Sequence, residues 1–387
     1  MATENKKYIP ALRFPEFQND GEWSMLELGK FAKIVMGQSP SSEAYNERGE
    51  GVPLLQGNAD IKDRHQVVRV YTTDITKTCD INDIIMTVRA PVGTISRASF
   101  KSCIGRGVCA IKTDSEYLYQ YLISIEQEWD KLASGSTFVS ITSNQIFDRI
   151  IFVPLTIQEQ KKIADCLSSL DKYIDATKRK LDLLKEYKKG LMQRLFPAKG
   201  KTIPELRFPE FQNDGEWIPR PLSDILNYEQ PTPYIVKDDT YKKEGTPVLT
   251  ANKGFILGYT DESFGIYNKL PVIIFDDFTT DKKYVDFSFK IKSSAMKLLT
   301  LKDEERDNLR FIFECMSNIV FEEKEHKRYY ISEYQHINIY VPSSLQEQNQ
   351  IADTLLPIDK QISEYDKKIK ALELHKKGLM QQLFPKL

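Results

Sequence analysis

Two stretches of the chain carry apolar residues at steps that alternate between four and three. In the first, Ile163, Leu167, Leu170, Ile174, Leu181, Leu184, Leu191 and Leu195 fall on one seam, with Thr177 and Lys188 as its polar members. In the second, Ile351, Leu355, Ile358, Ile362, Tyr365, Ile369, Leu372, Leu379 and Leu383 do the same, and Lys376 stands where Lys188 does. A 3.5-residue period held over more than four heptads predicts helices of a left-handed coiled coil. At the α-helical rise the first seam spans roughly 50 Å. Both stretches follow a Val-Pro stop, Val153-Pro154 and Val341-Pro342, and open on a capping-box pattern, Thr156-Ile-Gln-Glu159 and Ser344-Leu-Gln-Glu347. In that box the hydroxyl and the Glu reciprocally satisfy orphan backbone donors. Pro357 predicts a kink, with the straight part of the second helix beginning at about Ile358.

The segments ahead of these helices alternate differently. Val52–Leu55, Asp83–Arg89, Gly93–Ser96 and Gly107–Lys112 read as strands, followed by a helix near Glu116–Leu132. Further on, Thr246–Leu249, Leu270–Asp276 and Tyr284–Ile291 read as strands, then a helix near Glu304–Glu322 and a strand Ile337–Tyr340. Element order is alike in the two halves, and both read as mixed α/β.

A repeat explains that likeness. The segment from Ile9 to Trp23 recurs from Ile203 to Trp217 with fourteen of fifteen positions identical. Later, Gln158-Glu-Gln160, Ile163-Ala-Asp165 and Lys189-Gly-Leu-Met-Gln193 recur as Gln346-Glu-Gln348, Ile351-Ala-Asp353 and Lys377-Gly-Leu-Met-Gln381. Leu195-Phe-Pro197 and Leu383-Phe-Pro385 close the two copies. Between the matching ends, Ser24–Phe152 and Ile218–Tyr340 share almost nothing. The plan is a fixed leading segment, a variable middle and a fixed trailing helix, written twice. It predicts an α+β chain of pseudo-two-fold design: a first variable domain to 154, a helix over 155–197, a second variable domain over 198–342, and a helix over 343–387. Two helices tethered in one chain pair with each other before they pair between molecules. An antiparallel pairing makes the helix pair a rod with a variable domain at each end, which reads as a ruler. Two different middles imply two ligands, or two parts of one.

Composition narrows the function. Hydrophobic content of 41% in 387 residues allows two or three packed domains. Apolar runs are far shorter than a membrane span, and residues 1–7 lack the pattern of a signal peptide, so a cytoplasmic location without membrane attachment is expected. Five cysteines without a CxxC pair predict reduced structural thiols and no zinc site. The net charge of −1 gives no overall attraction for nucleic acid, so any DNA-binding charge must be local or shared with a partner.

Polar and basic residues gather in the loops of both middles. In the first, Gln56, Asn58, Arg89, Arg97, Arg106, Ser136, Thr137 and Asn144 are candidate DNA contacts. In the second, Asn252, Lys253, Thr279, Lys282, Lys283, Lys292, Ser293, Lys327, Arg328 and Tyr329 are candidates. Arg, Lys, Asn and Gln read base edges, while Ser, Thr and Lys position phosphates. Catalytic motifs are missing: there is no GxxxxGK[ST] phosphate loop and no Asn-Pro-Pro-aromatic or Asp-Pro-Pro-aromatic tetrapeptide. Asp276-Asp277, with Glu325 and Lys327 nearby, is the one tempting nuclease pair, yet adjacent carboxylates in loops are more often capping groups. A DNA-acting enzyme using that pair, and a coiled-coil scaffold with no DNA role, are the alternatives; neither catalytic residue, metal nor cofactor is expected.

Two divergent domains, each preceded by Leu-Arg-Phe-Pro-Glu-Phe…Trp and followed by a Gln-Glu-Gln…Ile-Ala-Asp…Lys-Gly-Leu-Met-Gln helix, resemble the specificity subunits of Type I restriction–modification systems. Phe14-Pro-Glu-Phe17 and Thr87-Val-Arg-Ala-Pro-Val-Gly93 are similar to stretches of that family. The resemblance implies two target-recognition domains, each reading half of a bipartite site in double-stranded DNA. It implies an antiparallel coiled coil that fixes the half-site spacing, two methyltransferase subunits that methylate adenine, and two restriction subunits that add ATP-dependent cleavage. The near-neutral charge fits a chain whose partners share the grip on the phosphates.

Overall fold

A computed structural model describes residues 8–132, 140–251, 254–322 and 327–385. They form two compact units, Met1–Arg179 with Lys367–Leu387, and Lys180–Asp366. Both unit boundaries cut through the long helices, Ile157–Leu195 and Leu345–Leu383. Each unit therefore contains the start of one long helix and the end of the other.

Within each unit the two helix segments run antiparallel. In the first, Asp171 meets Lys376 at 2.6 Å and Lys178 meets Glu373 at 2.7 Å, so partners descend along one helix as they ascend along the other. In the second, Lys188 meets Asp359 at 2.7 Å and Lys185 meets Asp366 at 4.0 Å. No seam residue is exposed: Ile163, Leu167, Ile174, Leu181, Ile351, Leu355 and Ile369 are buried, while Leu170, Leu184, Leu191, Ile358, Ile362, Leu372 and Leu379 are half-buried. Off the seam, Leu183, Tyr187 and Leu374 stand in solvent. The polar seam positions are satisfied, since Thr177 donates to the Tyr173 carbonyl and both seam lysines hold aspartates. The second long helix continues through Pro357. The proline ring removes one backbone donor, and on either side of it Leu355 is buried in the core and Ile358 packs against it.

The variable middle of each unit is a pair of sheets closed by the segments that flank it. In the first, Ser24–Glu27 pairs antiparallel with Ile150–Val153; in the second, Ile218–Pro221 pairs with Asn338–Val341. The first unit then has a six-stranded sheet centred on Ile84–Thr87 between Val108–Lys112 and Ile95–Arg97, and a five-stranded sheet in which Val52–Leu55 runs parallel to Ser102–Ile104. The second repeats this in reduced form. Val272–Asp276 lies between Met296–Leu301 and Lys282–Val285, and Thr246–Leu249 runs parallel to Lys290–Ile291. The segment expected as one strand over Tyr284–Ile291 is thus two, because Asp286–Ser288 faces solvent. Likewise the helix expected over Glu116–Leu132 breaks at Ile125 into Glu116–Ser124 and Glu126–Leu132. That expected near Glu304–Glu322 shrinks to Leu309–Ser317, started by Asn308, whose side chain accepts from the Phe311 N–H at 2.9 Å.

The leading segments clasp the helix starts. Arg13 donates from Nε and Nη2 to both carboxylate oxygens of Glu159 at 2.7 Å, and Trp23 Nε1 adds a third bond at 3.3 Å. The same clasp recurs with Arg207 and Trp217 on Glu347, at 2.8, 2.8 and 3.3 Å. Only half of each expected capping box forms. Thr156 and Ser344 accept from the Glu159 and Glu347 N–H groups, but the carboxylates turn away to the arginines. A bidentate, charge-assisted pair outweighs a single cap bond once both groups are buried. The Glu159 carboxylate also holds the Arg13 guanidinium above its usual pKa.

Candidate nucleic-acid interface

In the first unit, backbone bonds draw three strand ends into one row. Gly105 N–H donates to the Leu55 carbonyl at 2.7 Å, which sets the turn after Ser102–Ile104 beside the end of Val52–Leu55. Val88 N–H donates to the Gly107 carbonyl at 2.9 Å, which sets the same turn beside the end of Ile84–Thr87. Gln56, Arg106 and Arg89 each lie one residue past these contacts, and all three are exposed. Asn58 is half-buried just beyond Gln56, and Asn144 is exposed on the helix Ser143–Phe147, whose approach bridges Arg89 through Ser140.

The turn that carries Arg106 has no slack. A Cβ on Gly107 would stand 1.9 Å from the Gln56 carbonyl oxygen, and one on Gly37 would stand 2.1 Å from that of Gly105. Ser39 Oγ accepts from both the backbone N–H and the Nε of Arg106, each at 3.2 Å. Nothing in the sequence singles out Ser39, because the contact joins residues far apart in the chain.

Arg97 belongs elsewhere. It sits at the opposite end of the Ile84–Thr87 strand, opposite Ile84, where it pairs with Glu116 and stacks on Tyr119. Its guanidinium is committed to holding the Glu116–Ser124 helix on the sheet. Ser136 and Thr137 lie outside the described residues, as do Asn252 and Lys253.

The second unit builds the same row with different letters. Lys292 N–H donates to the Leu249 carbonyl at 3.1 Å, and Asp277 N–H donates to that of Ala295 at 2.9 Å. The turn holding Lys292 and Ser293 is thereby set between the ends of Thr246–Leu249 and Val272–Asp276. Thr279 and Lys283 are exposed in and beside the hairpin that follows, and Arg328 is exposed over the Phe278 ring. Three candidates are partly spent: Lys292 pairs with Asp239 at 2.6 Å, Lys327 pairs with Glu333 at 2.8 Å, and Lys282 lies over Tyr334, where burial lowers its pKa. Ser293 is half-buried and caps the Ala295 N–H. Tyr329 is 1% exposed and packs on Phe321, so its ring is a core residue.

Asp276 and Asp277 are capping groups. Asp276 accepts from the Phe278 and Thr279 N–H groups, while Asp277 accepts from the Tyr330 N–H at 2.7 Å and faces Lys297 at 3.3 Å. Glu325 lies outside the described residues. Among the described residues no group of three His, Cys, Asp or Glu is placed to hold a metal, and no helix is long and apolar enough to cross a membrane.

The doubled plan has a counterpart among known proteins. The Type I restriction modification DNA specificity domain matches residues 20–186 and again residues 214–374. The chain belongs to that family. A specificity subunit of the putative type I restriction enzyme MjaX, from Methanocaldococcus jannaschii, is 38% identical over 186 residues, covering 46% of this chain and 43% of its own length. The EcoR124I/EcoR124II specificity subunit of Escherichia coli is 49% identical over 146 residues, 36% of each chain. These two matches each span less than half of the relative. The MjaVIII specificity subunit of M. jannaschii is 23% identical across 98% of this chain and 95% of its own. In structure, the S subunit of a Type I restriction–modification system from M. genitalium superposes with a TM-score of 0.73 at 16% identity, covering 98% of this chain and 99% of that one. The two chains share a fold.

Proposed function

We propose that this chain is the DNA-reading subunit of a Type I restriction–modification assembly and carries no catalytic site. Each variable domain, spanning 1–154 and 198–342, reads half of a bipartite site in double-stranded DNA. The observation that carries this is the pair of equivalent strand-end rows, Gln56–Arg106–Arg89 and its counterpart around Lys292, Thr279 and Arg328, in a chain with two copies of a DNA specificity domain. Most flanking cations are neutralised by the protein's own carboxylates, whereas Arg89, Arg106, Lys283 and Arg328 have no acidic partner among the described residues. The helices over 155–197 and 343–387 set the spacer and dock two methyltransferase subunits, with two restriction subunits supplying ATP-dependent cleavage. The net charge of −1 is in keeping with partners that supply much of the phosphate grip.

Co-expression with the methyltransferase encoded beside it, followed by mapping of modified adenines, tests this reading. A split motif of fixed gap, methylated once in each half, is expected. A contiguous motif would mean that one domain reads alone. Cleavage or modification of mixed-sequence duplex by the purified chain with magnesium would revive the enzyme at Asp276.

A further inference from the structure

Six arginines of the first unit, Arg13, Arg48, Arg64, Arg69, Arg97 and Arg149, each hold a carboxylate. Among the described residues, Arg89, Arg106 and Arg179 do not; Arg179 lies on the long helix Ile157–Leu195, whereas Arg89 and Arg106 are exposed neighbours in strand register at the strand-end row. At the strand-end row, an exposed arginine without an acidic partner is left for a ligand that supplies the acceptors. Arg106 is the better prepared of the two. Its turn is clamped between the Gln56 and Gly37 backbones, and its Nε is already engaged by Ser39 Oγ. What remains free is the outer edge of the guanidinium, its two Nη groups, with one rotational degree of freedom already removed.

We propose that Arg106 reads a guanine in the half-site of the first domain, donating from its two Nη groups to O6 and N7, and that Ser39 is the residue that positions it. This rests on the DNA-reading function proposed above. A planar fork presenting two parallel donors matches the two acceptors that guanine alone shows side by side in the major groove. A phosphate would also accept such a fork, but it needs no fixed aim, and Lys or an unsupported Arg serves there. The cost of holding Arg106 still, with glycines at Gly37 and Gly107 where any side chain would collide, is explained by the aim that base reading demands. Gln56, beside it in the row, is placed for the neighbouring base pair.

The test uses the complete complex with its methyltransferase. A duplex series replaces each guanine of the bipartite site in turn with 7-deazaguanine, which removes the N7 acceptor and leaves pairing intact. One position in the first domain's half-site is expected to weaken binding on the order of 10-fold. Arg106→Ala is expected to abolish that sensitivity and to relax the methylated motif at that position alone, with discrimination there falling on the order of 10- to 100-fold. Ser39→Ala is expected to keep the letter but blunt its discrimination, and Ser39→Thr, which retains the hydroxyl, to restore it. The proposal is overturned if no 7-deazaguanine position matters in wild type. It is overturned equally if Arg106→Ala weakens all sites uniformly with a shallower salt dependence, the behaviour of a phosphate contact. A contiguous motif would defeat the two-reader function while leaving the 7-deazaguanine result to decide Arg106 by itself.

Discussion

Glu262 lies 2.8 Å from the ammonium of Lys290, a lysine with no exposed surface, which also donates to the Phe264 carbonyl at 2.7 Å. That ammonium, with the Asp238 and Lys237 N–H groups, pulls the Glu262 carboxyl from its ordinary 4.5 to about 2. A carboxylate whose folded pKa is depressed stabilises the fold above its unfolded pKa and loses that contribution as pH falls through the folded one. Glu262→Gln is therefore expected to lower the melting temperature at neutral pH, with the gap to wild type closing between pH 4.5 and 2. A constant gap would mean that the pair contributes nothing through charge. The thiols give a second check at this scale. Burial raises Cys79, pushes Cys109 up to about 12 and lifts Cys315 well above the thiol range, and Cys103 is buried too. Cys166 alone is half-open. Native protein treated with a maleimide should gain one fast adduct, at Cys166; rapid labelling of several thiols would show that the sheets open readily.

The clasp of Arg13 and Trp23 on Glu159 makes the leading segment and the helix one element. Arg13→Met leaves a buried, unpaired carboxylate and is expected to cost about 3–5 kcal/mol in denaturant unfolding, whereas Arg13→Met with Glu159→Leu should recover most of it. Equal losses in the single and double variants would place the clasp's value in packing. This is also where reading from the sequence reached its limit. The heptads were legible because burial follows the 3.5-residue period, and the central strands because their apolar runs are short and bounded by turns. The Glu159 carboxylate escapes a local reading, since a capping box is a local pattern and Arg13 arrives from far away in the chain. Arg97 and Arg106 look alike as letters; only the fold shows that Glu116 claims one and no acid claims the other. Tyr329 followed two basic residues into the candidate site, and its place in the core depended on a partner, Phe321, that no spacing reveals.

Across the whole chain, the proposed function makes specificity exchangeable by halves, since each middle carries its own strand-end row inside its own fixed frame. Replacing Ser24–Phe152 with another such middle should change one half-site in the methylation map and leave the other intact; a change in both would mean that the domains do not read independently. Adding one heptad to each long helix lengthens it by roughly 10 Å, so the spacer should grow by up to about three base pairs. An unchanged spacer would remove the helices from the measurement of distance. The first unit carries one more implication. Its core includes Met380, Leu383 and Phe384, and Phe384 packs edge-on against Tyr117 and Tyr121. On the ribosome those residues emerge only after the whole second middle has been made. The first domain to be synthesised therefore waits, with an aromatic face uncovered, until the later one has been translated, and an interrupted chain leaves that face open to chaperones and proteases.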